Sequence, residues 1–184
     1  MNCFACLETF GHGWKGMVKG MTFENATVKT VRVALLAALA LALGVLEGVF
    51  TPILPPGVKA GISNIAVMLA AAHMGLCPAL AIVFAKAVFA LVTRGVIAFG
   101  MSFCGGMLSA LLLWILFRFA KEHIGILGIS MLGAFTHNLA QGVFALCVFG
   151  SAILAYLPIL VLLSVPCGLV SGAATAAIRK MKRV

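Results

Sequence analysis

The sequence predicts an all-α bundle of about six transmembrane helices, and three observations carry that prediction. The 184 residues are 64% hydrophobic and only 9% charged, with a mean hydropathy of +1.21. A water-soluble domain of this size has too little polar side chain to cover such an apolar content, whereas lipid removes the need. The apolar residues fall into runs near the ~20 residues that an α-helix needs to cross a bilayer, separated by short glycine, proline or charged breaks. Finally, ten of the thirteen basic residues lie outside those runs, in three places.

The elements follow in order. Residues 1–29 contain Gly11, Gly13, Gly16, Gly20 and Asn25 among several charges. They lack the apolar stretch of a cleavable signal and read as a poorly ordered cytoplasmic tail; residues 30–184 form the membrane domain. The first span runs from about Val31 to Phe50 and ends in Thr51-Pro52-Ile53-Leu54-Pro55-Pro56-Gly57, where three prolines break the hydrogen-bond ladder. A short second span starts near Ala60 and ends around Met74 and Gly75. Cys77-Pro78 opens the third, with proline tolerated in a first turn, and this span reaches about Arg94. The fourth covers roughly Val96 to Phe119 and carries the Gly105-Gly106 pair. A polar loop from Lys121 to Gly125 follows. The fifth span runs from about Ile126 to Phe149, and Gly150-Ser151 connects it to a sixth that reaches about Ile178, with Pro158 and Pro166 expected to kink it.

The basic residues orient the bundle. Lys15, Lys19, Lys29 and Arg32 precede the first span. Arg118 and Lys121 fall in the central loop, and Arg179, Lys180, Lys182 and Arg183 at the end. With six spans all three groups fall on one side, which the positive-inside bias makes cytoplasmic. A multi-pass protein of a bacterial-type plasma membrane, with both termini inside, is expected. The same distribution explains the net charge of +9 without a nucleic-acid partner, since no basic stripe is formed.

Cys77, Cys104, Cys147 and Cys167 are scattered through apolar runs, where cysteine acts as a small packing residue. Cys3 and Cys6 form a C-x-x-C with no second ligand pair, so no metal site is assigned. Small residues recur at helical spacing: Ala34, Ala38 and Ala42, then Gly44 and Gly48, on the first span, and Gly168 and Gly172 on the sixth. Such stripes let backbones approach closely in lipid, either within the bundle or against a partner subunit.

Polar groups inside the spans are the candidate functional residues, because a charge near the bilayer centre costs ~2.5 to 3.5 kcal/mol on insertion scales. They are Glu47, Lys59, Asn64, Lys86, Arg94, His137, Asn138 and Gln141. Lys86 falls near the midplane of span three, and His137 near the middle of span five, with Gln141 one turn further along the same face. Asn64 is expected about one turn below the outer face. All eight lie at mid-depth or in the outer half, which points to a polar pocket open to the outside and closed below by apolar packing. Three cations against Glu47 favour an anionic or zwitterionic ligand. Lys86 and His137 are the leading contacts, with Asn64, Asn138 and Gln141 as hydrogen-bonding groups. The competing readings are interfacial snorkelling for Lys59 and Arg94, ion pairing for Glu47 and Lys86, and inter-helix hydrogen bonding for the span-five residues.

The stretch Pro55-Pro56-Gly57-Val58-Lys59-Ala60-Gly61-Ile62-Ser63-Asn64-Ile65, after a helix that carries Glu47, resembles the Gx transporter family, often labelled heptaprenyl diphosphate synthase component I. Gly133-Ala134-Phe135-Thr136-His137-Asn138-Leu139-Ala140-Gln141 resembles it too, and the likeness covers roughly residues 30–180. That family is similar in size and helix count to the substrate-binding S components of energy-coupling-factor transporters. The resemblance implies that Ala34, Ala38 and Ala42 dock a transmembrane coupling subunit, with ATPase subunits completing the complex.

Catalysis is not expected. Prenyl-diphosphate extension relies on carboxylate-held Mg²⁺, yet the chain has no Asp, and its four glutamates, Glu8, Glu24, Glu47 and Glu122, are far apart. It has no Gly-x-x-x-x-Gly-Lys-Ser/Thr loop for ATP, and no Ser-His-Asp set is available. No cofactor is implied. Two alternatives to a solute-capturing subunit are a non-catalytic membrane partner or carrier in isoprenoid or quinone-precursor metabolism, and a self-sufficient secondary transporter. The second commonly shows internal repeats, and no convincing repeat relates the two halves.

Overall fold

The computed structural model describes residues 26–50, 62–120, 123–155 and 157–181. They form six α-helices: α1 (Ala26–Phe50), α2 (Asn64–His73), α3 (Leu76–Arg94), α4 (Val96–Ile115), α5 (Ile126–Phe149) and α6 (Leu157–Met181). A π-helical turn, Leu116–Ala120, extends α4, and a 3₁₀ segment, Gly150–Ala155, joins α5 to α6. Contacts divide the chain into Met1–Arg32 and Val33–Val184. The described part of the first unit is the opening of α1; the second unit holds all the packing discussed below. Lys59, Cys3 and Cys6 lie outside the described residues.

Five of these helices are long and apolar enough to cross a membrane. The second helix is not. Its ten residues rise only ~15 Å, half of a ~30 Å hydrocarbon core. It is nonetheless the most enclosed element, with every residue from Asn64 to Ala71 buried. Helix α2 is a central plug surrounded by the long helices.

The surface is inverted relative to a soluble protein. Leu35, Val92, Val96, Phe119 and Leu162 are 65–80% exposed, while Glu47, Asn64, His137, Asn138 and Gln141 are all under 10%. Large apolar side chains facing outward over the whole bundle, with polar ones inside, is the arrangement that a lipid solvent selects. The chain is an all-α polytopic membrane protein.

Two glycines set the antiparallel turns. Gly75 alone separates the turn after α2 from α3, with φ +95°, and Gly95 alone separates α3 from α4, with φ +87°. Both values lie where a Cβ clashes and glycine does not. Side-chain contacts then fix the direction of α1. Arg94, the last residue of α3, donates from Nη2 to Gly44 O at 2.8 Å, and Ser63 Oγ donates to Glu47 at 3.1 Å. The C-terminal ends of α1 and α3 therefore lie together, and the two helices run parallel. Short as it is, α2 preserves the alternation: it begins at mid-depth and carries the chain to the opposite end, where Gly75 turns it into α3.

The apolar core occupies that opposite end. Ala66, Val67, Met68, Ala70 and Ala71 of α2 pack with Ala40 of α1, Ala79, Ile82 and Val83 of α3, Ala110 and Leu113 of α4, and Ile129 of α5. On α3, α4 and α5 these positions lie towards the Gly75 turn. The bundle is closed by apolar packing there and polar in the half that contains Arg94.

Close approach between helices is bought with glycine. A Cβ on Gly168 would lie 2.7 Å from Met131 Cα, and one on Gly172 would lie 3.0 Å from both Leu127 and Ser130. The small-residue stripe of α6 is thus used inside the bundle, against α5. Ala34, Ala38 and Ala42 of α1 are exposed, so that stripe is not consumed by the fold.

Candidate functional site

Four long helices and the turn before α2 converge on one cavity. Helix α1 contributes Ala40, Leu41, Gly44 and Glu47, and Ser63 follows from the turn. The α3 wall carries Lys86, Phe89, Ala90 and Arg94, and the far side is formed by Ser102 of α4 with His137 and Gln141 of α5. Including its open mouth the space is about 440 Å³. The enclosed part holds about two water molecules in this conformation.

Lys86 sits ten residues into α3, or ~15 Å along its axis. Its Nζ donates to Asn64 Oδ1 at 3.1 Å. That bond puts the first residue of α2 level with the middle of α3. Asn64 is therefore near mid-depth and not one turn below the outer face. The expectation assumed a helix starting near Ala60, but the described helix begins at Asn64, after a turn at Ile62 and Ser63. Asn64 supports Lys86 from behind and is not itself among the lining residues.

On α5 the amide nitrogen of Gln141 and Nε2 of His137 lie 3.1 Å apart. Their i, i+4 spacing places both on one helical face. With the amide as donor, Nε2 accepts and a neutral ring carries its proton on Nδ1. Gln141 is fully buried, yet its Oε1 has no hydrogen-bond partner among the described residues. A buried carbonyl oxygen without a partner is costly unless something else bonds to it. Gly105 makes this arrangement possible. A Cβ there would lie 2.8 Å from Gln141 Cγ and 2.9 Å from His137 O, so α4 passes α5 at a distance that only glycine permits.

The candidate residues thus separate. Glu47, Lys86, Arg94, His137 and Gln141 share the cavity, and Asn64 holds Lys86. Asn138 is buried and donates from Nδ2 to Leu160 O at 3.0 Å, tying α5 to α6 away from the cavity lining. Arg94 is exposed at the mouth, and a Cβ on Gly48 would lie 3.0 Å from its Nη2. Ser63, Ser102 and Phe89 line the space and were not anticipated. Ser63 stands in the same stretch as Asn64, but a serine in an apolar run is a weak signal, because its hydroxyl is often absorbed by a nearby carbonyl. Ser171 and Thr175 of α6 show this, each donating to the carbonyl four residues back at 2.8 Å.

A helical bundle with a lipid-facing exterior and with charged and amide side chains gathered into one interior cavity defines a polytopic membrane protein with a polar intramembrane site. The chain belongs to the family described as heptaprenyl diphosphate synthase component I, whose model matches residues 36–178. That span takes in every described cavity residue. No curated protein and no solved structure matches the chain.

Proposed function

We propose that this protein is the membrane-embedded solute-binding subunit of an uptake transporter, similar in role to an S component, which captures a small anionic or zwitterionic solute from outside. The observation that carries the reading is the convergence of Lys86, Arg94, Glu47, His137 and Gln141 on one cavity. Intramembrane ionisable side chains are expensive, and a cluster of them around a cavity points to a ligand more than to stability. Lys86 and Arg94 attract an anionic group, and His137 and Gln141 hydrogen-bond it from the opposite wall.

The positive-inside bias makes the Arg94 end the outer face, so the cavity takes solute from outside and the apolar core beneath α2 blocks passage. Release inward then requires work from another chain. The exposed Ala34, Ala38 and Ala42 stripe supplies a surface on which a transmembrane coupling subunit can pack closely, and ATPase subunits bound to that partner drive the cycle. Co-purification tests this. Recovery with a coupling subunit and ATPases supports the reading. Solute transport by the protein alone in proteoliposomes replaces it with a secondary carrier.

The family description favours one second reading, a non-catalytic component beside a prenyl diphosphate synthase. A cavity lined by basic groups suits a diphosphate as well as a carboxylate, whereas the absence of Asp removes the usual Mg²⁺ ligands from this chain. Prenyl transfer that appears only when this protein is added to a soluble partner would establish that reading.

A further inference from the structure

A glycine inside a helix weakens it relative to alanine, so each one in α1 asks for a physical reason. Gly44 and Gly48 stand one turn apart, and their surroundings differ. A Cβ on Gly48 would lie 3.0 Å from Arg94 Nη2, and that nitrogen donates to Gly44 O at 2.8 Å. Packing therefore explains Gly48: it leaves room for the guanidinium that ties α1 to α3. Packing does not explain Gly44. Among the described residues nothing lies within 4 Å of a Cβ there, although Gly44 is half-buried and lines the cavity. The helix geometry shows where a side chain at this position would point. The lining residues of α1 are Ala40, Leu41, Gly44 and Glu47. At about 100° per residue, Ala40 and Glu47 project within about 20° of each other, and Gly44 falls midway between Glu47 and Leu41, about 60° from each. Ala40 and Glu47 are buried, whereas Leu39, Ala42 and Leu46, on the far side of the helix, are exposed. The open space in front of Gly44 is thus the cavity and not the lipid.

We propose that Gly44 is the size-determining residue of the site: the room in front of its Cα seats the captured solute, and a side chain there shuts the solute out. The enclosed part of the cavity holds about two water molecules, so one leucine side chain projecting from the centre of the α1 wall fills it. The assignment rests on the capture reading and deepens it, because it names the position that limits the solute to a small molecule. It also separates function from stability. A glycine kept for packing loses stability when a methyl group is added. A glycine kept for an open site gains helix propensity from the same change and loses only access.

The test uses the full-length protein in lipid nanodiscs with Ser102→Cys, a near-isosteric change on the α4 wall of the cavity. The probe is 2-sulfonatoethyl methanethiosulfonate, a small anion that modifies a thiol where water reaches it and the thiolate can form. Intact mass counts its adducts against those of the wild-type protein, whose own cysteines set the baseline. With Gly44 in place the introduced thiol is expected to react. Gly44→Ala is expected to slow that reaction and Gly44→Leu to slow it at least about tenfold, the scale on which a pocket rejects added methylenes. Leu46→Phe, which adds bulk on the far side of α1, is expected to leave the rate unchanged. Thermal unfolding of Gly44→Ala is expected at or above the temperature of the parent. The proposal is overturned by an equal rate in the Gly44→Leu background, by a thiol that the probe never reaches while Gly44 is present, or by a lower melting temperature for Gly44→Ala. Should Gly44→Leu not fold, the rate and melting temperature of Gly44→Ala decide alone. The capture reading falls separately, if no coupling subunit co-purifies.

Discussion

Lys86 Nζ donates to Asn64 Oδ1 at 3.1 Å, and this one bond places the start of the short helix α2 beside the middle of the long helix α3. It joins the cavity to the core: above it are the polar side chains, and below it Ile65–Ala71 are buried among apolar neighbours. An ammonium at mid-depth needs partners, and Asn64 is one that the fold itself supplies.

Asn64→Leu removes that partner while keeping an apolar body of similar size. It is expected to lower stability by about 0.6 to 1.7 kcal/mol, the average and the largest value for polar contacts between membrane helices, and to weaken solute binding by removing one of the partners that position Lys86. Thermal unfolding in detergent, paired with titration, checks both. An unchanged melting temperature would show that the bond contributes nothing.

Gln141 and Asn138 lie three residues apart on α5 but face different neighbours, and they should respond differently. Gln141→Ala is expected to weaken ligand binding with a modest effect on unfolding. Asn138→Ala removes the bond to Leu160 O and is expected to lower the melting temperature with affinity retained. The reverse outcome would mean that Asn138, not Gln141, meets the ligand.

Gly105→Ala puts a methyl group 2.8 Å from Gln141 Cγ and 2.9 Å from a backbone oxygen. Overpacking of this kind costs typically about 1 to 3 kcal/mol. Because the atoms displaced belong to His137 and Gln141, affinity should fall with stability. Gly125→Ala is the control, since nothing lies within 4 Å of a Cβ there and the residue does not line the cavity, and it should be close to neutral on both readouts.

The exposed stripe on α1 gives a prediction about assembly. Ala38→Leu adds bulk where the described bundle makes no use of the surface. It is expected to leave folding and solute binding intact and to abolish co-purification with a coupling subunit. Full complex recovery with this variant would move the docking surface elsewhere.

The helical class, the long spans and the charged candidates were legible from the sequence because each is a property of composition along the chain. A lysine or glutamate inside an apolar run is conspicuous whichever way its helix is turned. What could not be read was rotation and depth. His137 and Asn138 are neighbours in sequence, yet successive residues project about 100° apart around a helix, so one meets the cavity and the other meets α6. The apolar run around Ala60 reads as part of a helix, whereas the described one begins at Asn64, which shifts that residue to mid-depth. Ser63 and Ser102 became visible only through the cavity they line, since serine carries no insertion cost large enough to demand a reason. The two small-residue stripes look alike in sequence; only packing distinguishes Gly168 and Gly172, which meet α5, from Ala34, Ala38 and Ala42, which stay exposed.

The most direct test of the central claim is native mass spectrometry of the purified full-length protein beside its Lys86→Ala variant, with any released solute identified by fragmentation. A cavity built for capture predicts one small anionic or zwitterionic molecule per wild-type protein and at least about tenfold less on a variant that still folds. A wild-type protein that carries no such molecule after gentle extraction from its native membrane, or a variant that retains it equally, would contradict the account.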